Sequence, residues 1–81
     1  MSPRTRAPRR AREPRPTEIA QARARARLTQ REAAALVHTT DRVWRQWEAG
    51  DYQMHPAFWE LFQIKARSVT ALAALPVYRT V

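Results

Sequence analysis

The stretch Leu28 to Gly50, LTQREAAALVHTTDRVWRQWEAG, constrains this chain most, because it holds two short helical patterns separated by a turn too brief to let them part. The first pattern opens with Thr29, whose side-chain oxygen can accept from N–H groups at a helix start, while Glu32 can reach back to the Thr29 N–H. This is a capping box. From Gln30 onward Ala33, Leu36 and Val37 recur at the spacing of one apolar face, and Ala34 is small enough for a close helix crossing. His38 stands where the chain must leave the first helix, at a position that favours positive φ, which His tolerates better than most residues. Thr39 and Thr40 offer a second N-cap, the next helix runs from about Asp41 to Ala49 with an acidic first residue, and Gly50 ends it. The layout is that of a helix-turn-helix.

On the second of these helices Trp44 and Trp47 lie three apart and share a face, which leaves Asp41, Arg42, Arg45 and Gln46 pointing elsewhere. Their chemistry suits the edges of base pairs: Arg forks onto guanine O6 and N7, Gln pairs bidentately with adenine, and Asp accepts from cytosine N4. A charged helix face is ordinarily only a solvated face. Here a turn and a bracing helix precede it, the arrangement that carries a recognition helix into a major groove.

The stretch resembles the Cro/C1-type helix-turn-helix family of small phage and bacterial regulators, through Leu28-Thr29-Gln30, Ala34, the Thr40 cap, and Trp47-Glu48 followed by Gly50. The similarity spans roughly residues 17 to 65. It implies a compact all-α, lambda-repressor-like domain of four to five helices, and a structural ion pair between Arg23 on the first helix and Glu48. It also implies base reading by Arg42 and Gln46, with Arg45 and Asp41 next, and phosphate binding by Thr29, Gln30, Thr39 and Thr40. The sequence departs from the family in two places. His38 replaces the usual Gly, and Trp44 replaces the usual Ile or Val, which demands a roomier core.

Eighty-one residues make one domain with a small core, so a partner subunit is expected. A formal net charge of +8 implies an anionic partner, and nucleic acid is the commonest. The absence of cysteine excludes a disulfide framework and thiolate metal sites, and with only His38 and His55 as histidines no metal cluster or cofactor is implied. No apolar run is long enough to span a bilayer, and no secretory signal follows the basic amino terminus, so a cytoplasmic, nucleoid-associated protein is expected.

Residues 1–16 hold six Arg against one Glu, with four Pro, and read as a disordered basic arm able to follow phosphates or enter a minor groove. Thr17 is the expected cap of a first helix from Glu18 to Arg27, with Ile19, Ala22 and Ala26 inward and Arg23 beside them. After a loop from Asp51 to His55, Pro56 opens a helix whose Phe58, Leu61, Phe62 and Lys65, together with Ala57 and Ile64, would close the core. Met54 and His55 read as structural, and Trp59 as marginal packing or an interface anchor. Ser68 is the expected cap of a last short helix, from Val69 to about Ala74. The domain would thus run over 17–67, with 68–81 a helix and tail open to dimerisation.

The expected function is sequence-specific recognition of double-stranded DNA by a homodimeric repressor on an inverted repeat, of phage or mobile-element type. The alternative is an antitoxin-like module that binds a partner protein first and DNA second. No nucleophile or acid–base constellation points to an enzyme.

Overall fold

The computed structural model describes residues 12–74, with side chains through residue 71. Four helices follow in order: α1 (Pro16–Arg25), α2 (Gln30–Leu36), α3 (Asp41–Ala49) and α4 (Pro56–Ala74). No strand occurs among the described residues, and the fold is a small all-α globule.

Each helix starts where a local acceptor waits. Thr29 Oγ1 accepts from Glu32 N at 3.0 Å while Thr29 N donates to Glu32 Oε1 at 2.8 Å, so the capping box is complete. Thr40 Oγ1 accepts from Val43 N at 3.2 Å, and at α4 the His55 ring Nδ1 accepts from Ala57 N at 2.9 Å. Helix α1 differs from the sequence reading. It begins at Pro16 rather than Glu18, and Thr17 is already inside it; Arg15 is its cap residue, with Arg15 N donating to Glu18 Oε1 at 2.8 Å. Pro16 brings no N–H to the first turn and the Glu18 N–H donates to Arg15 O at 2.9 Å, so the helix starts without a Ser, Thr, Asp or Asn at the cap.

The first three helices end in the same way. A residue in the left-handed region, Arg27 (φ 60°), His38 (φ 65°) or Gly50 (φ 85°), reverses the chain. The N–H just beyond it then bonds to a carbonyl five residues back: Leu28 to Arg23, Thr39 to Ala34, Asp51 to Gln46, at 3.0–3.2 Å. These are Schellman closures. Glycine, free of the Cβ clash, occupies one of the three; Arg and His occupy the others at a conformational cost. Arg27 therefore stands outside α1, which the sequence reading had carried through it.

The core is built from Ile19 of α1, Ala33 and Ala34 of α2 with Val37 just beyond it, Trp44 and Trp47 of α3, Met54 of the loop, and Phe62 and Ala66 of α4. Trp44 sits at its centre, its ring centroid 5.6 Å from that of Trp47 in an edge arrangement and 5.0 Å from that of Phe62. The small residues of α1 and α2 leave the volume this indole fills. Leu28, Leu36, Trp59 and Leu61 pack half-buried around it.

Several expectations for the flanks are corrected. Ala57 and Ile64 do not close the core: both are exposed, Ile64 by 54%. Phe58 lies at the core margin, its ring 5.3 Å from that of Trp47. Ser68 does not cap a new helix, because α4 runs through it unbroken and its hydroxyl donates back to Ile64 O at 3.5 Å. Residues 12–15, assigned to the arm from composition, pack on the body: Pro14 is buried, and Arg12 forks onto Glu18 at 3.0 and 2.7 Å. The rest of the arm, residues 1–11, and the tail from residue 75 lie outside the described residues.

Candidate nucleic-acid interface

Helices α2 and α3 are joined by a turn held from both sides. Within it His38 and Thr39 bond back to Ala35 and Ala34 carbonyls at 3.2 and 3.0 Å. From outside, Lys65 of α4 donates to Leu36 O at 2.8 Å and lies 3.3 Å from His38 Nε2. A cation at the carbonyl end of α2 complements the helix dipole and ties α4 to the turn. Sequence reasoning had placed Lys65 only on the inward side of α4.

A second lock lies at the other end of α3. Glu48 accepts four hydrogen bonds: Arg23 Nε at 2.6 Å and Arg23 Nη2 at 3.0 Å, Trp44 Nε1 at 2.6 Å, and Gln30 Nε2 at 3.0 Å. Arg23 also donates to Leu28 O at 3.1 Å. One carboxylate thereby joins α1, α2 and α3. Burial pushes the Glu48 carboxyl up, but the bonds from Arg23, Trp44 and Gln30 together outweigh it and hold it below the usual range. The Arg23 guanidinium is correspondingly raised by its bond to Glu48. Two of these donors were not foreseen. Trp44 stands one helical turn before Glu48, so the spacing allowed the contact, whereas the bond from Gln30 depends on how α2 crosses α3.

With both ends fixed, α3 turns its polar side outward. Arg42 and Arg45 are exposed, Asp41 and Gln46 half-buried at the edges of that face. Arg42 makes no side-chain hydrogen bond among the described residues. Arg45 Nη1 instead meets both Asp41 oxygens at 3.2 Å, so these two form a pair within the surface. The phosphate candidates divide. Thr29 and Thr40 are engaged as caps through their oxygens, and a capping hydroxyl still has its hydrogen to donate. Thr39 is half-buried in the turn, and Gln30 spends one N–H on Glu48, which leaves its other N–H unpaired among the described residues.

No family model matches the chain. It is similar to the Type II methyltransferase M.MspI of Moraxella sp, 34% identical over 53 residues, which is 65% of this chain and 13% of that protein. The chain thus corresponds to a small part of the length of the relative.

Proposed function

We propose that the chain is a sequence-specific, double-stranded-DNA-binding regulator of the Cro/C1 helix-turn-helix type, acting as a homodimeric repressor on an inverted repeat. The observation that carries this reading is the outward face of α3. Arg42, Arg45 and Gln46 stand together there on a helix fixed at one end by the Lys65-bound turn and at the other by the Glu48 network. A base reader must be rigid to be selective, and both locks supply rigidity without using the readers themselves.

Two further features support it. The net charge of +8 favours a polyanion, and the Thr29 hydroxyl at the start of α2 and the Thr39 and Thr40 hydroxyls in the turn before α3 offer donors to the phosphates of a bound duplex. The similarity to part of a methyltransferase is compatible with a small domain that also serves inside a larger protein. Methyl transfer is not carried over to this chain, which we read as a binder.

Enrichment of random duplex DNA on the purified protein tests the proposal. A recovered sequence with two-fold symmetry is expected, bound with an affinity that falls steeply with salt. Recovery of no preferred sequence, together with tight binding to a co-purifying protein, would favour the antitoxin-like alternative.

A further inference from the structure

Side-chain chemistry and the helix-turn-helix resemblance make Arg45 and Asp41 two separate candidate base readers. Their geometry is that of one unit. Both Asp41 oxygens lie 3.2 Å from the same guanidinium nitrogen, Nη1, one helical turn away. The opposite edge of the guanidinium, Nε and Nη2, has no partner among the described residues, and the Arg45 side chain is 55% exposed. We propose that Asp41 is a positioning residue that holds the Arg45 guanidinium by Nη1 and presents its Nε–Nη2 edge to a guanine in the major groove. This rests on the DNA-reading function proposed above and names how one of its base contacts is made.

The argument begins with what the pair does not do. An exposed i,i+4 ion pair adds little to folding stability, and the start of α3 is already capped by Thr40. A carboxylate on a face that meets phosphates is repelled by them unless a cation neutralises it. Here the cation is one of the readers. A free Arg loses considerable rotamer freedom when it is fixed on a base, and a side chain already held at one nitrogen loses less. Guanine offers O6 and N7 as two acceptors on one edge, matching two N–H donors on one edge of a guanidinium. Nε and Nη2 form such an edge, and Arg23 uses the same two nitrogens on Glu48. With its acceptors turned to Arg45, Asp41 is not a cytosine reader. Arg42, which has no such buttress, is left as a looser contact.

The test is parallel enrichment of random duplex DNA by the wild-type chain and by Asp41→Asn, Arg45→Ala and the double variant, each with its melting temperature. The wild type should enrich guanine at a defined position of each half-site, and Arg45→Ala should lose it. Asp41→Asn should relax the same position by about fivefold or more, with the melting temperature kept, and the double variant should be no less selective than Arg45→Ala. Relaxation by Asp41→Asn at a different base pair, additive losses in the double variant, or an unchanged preference would overturn the inference alone. A wild-type chain that enriches no sequence would overturn the DNA-reading function and the inference with it.

Discussion

Glu48 gathers four N–H donors on two oxygens at the meeting point of three helices, and its behaviour with pH follows from that. Its folded-state pKa is held below its ordinary value of 4.5, so near that pH the unfolded chain binds more protons than the native one. The stabilisation is therefore fully present above pH 4.5 and is lost as pH falls through the depressed folded value. Glu18, held at about 2 by the Arg12 hydrogen bond and then by the Arg15 N–H, extends the acid loss to lower pH. Urea unfolding of Glu48→Gln should show lower stability at neutral pH and a shallower fall as the pH drops below 4.5 than the wild type shows. Parallel pH profiles would mean that the carboxylate is not held in its charged form. A second residue-scale prediction concerns Arg27, which takes φ 60° without glycine's freedom. Arg27→Gly should raise stability by about 1 kcal/mol, or roughly 4–8 °C in melting temperature for a domain of this size. A fall would show that the Arg27 side chain contributes more than its strain costs.

Between elements, α4 is tied to α2 by one short hydrogen bond from a half-buried ammonium, Lys65 to Leu36 O. Lys65→Met keeps most of the stem and removes the donor, so it should cost about 1–2 kcal/mol in urea unfolding. No loss would mean that packing alone holds the turn. How legible the elements were from the residues divides along the same line. α2, the His38 turn and α3 could be read because their signals are local: Thr29 with Glu32, Thr40, and Gly50 lie within one turn of what they cap. The start of α1 was misplaced because the helix opens at Pro16 with no side-chain cap, its Glu18 N–H bonding to Arg15 O, so Thr17 falls inside it. The break expected at Ser68 was wrong because a serine can back-bond inside a helix as well as cap one, and α4 continues through it. Gln30 on Glu48 depended on the crossing of α2 and α3, whereas Trp44 with Glu48 and Asp41 with Arg45 stand one helical turn apart, a spacing that allows a contact without showing that it is made.

At the scale of the whole molecule much of the net charge belongs to residues 1–11, outside those the structure describes. Residues 1–11 carry four Arg and no acid, out of a net +8. The described residues begin at Arg12, which is paired with Glu18, so the informative truncation removes residues 1–11 and leaves Arg12 and Pro14 in place. This truncation should keep the melting temperature, weaken binding to all DNA and reduce the salt slope by up to about four, with the preferred sequence intact. A lost preference would make the arm a reader. The central claim, that the outward face of α3 reads bases, is tested most directly by measuring operator and random-DNA affinity side by side for Arg42→Ala and Gln46→Ala. Each should keep the fold, lose about 1–3 kcal/mol on the operator, and relax one base pair per half-site. In a symmetric dimer the half-site centres should lie roughly 34 Å apart or a multiple of it. Equal losses on operator and random DNA would contradict the account, because these side chains would then hold phosphates and α3 would not be the recognition helix.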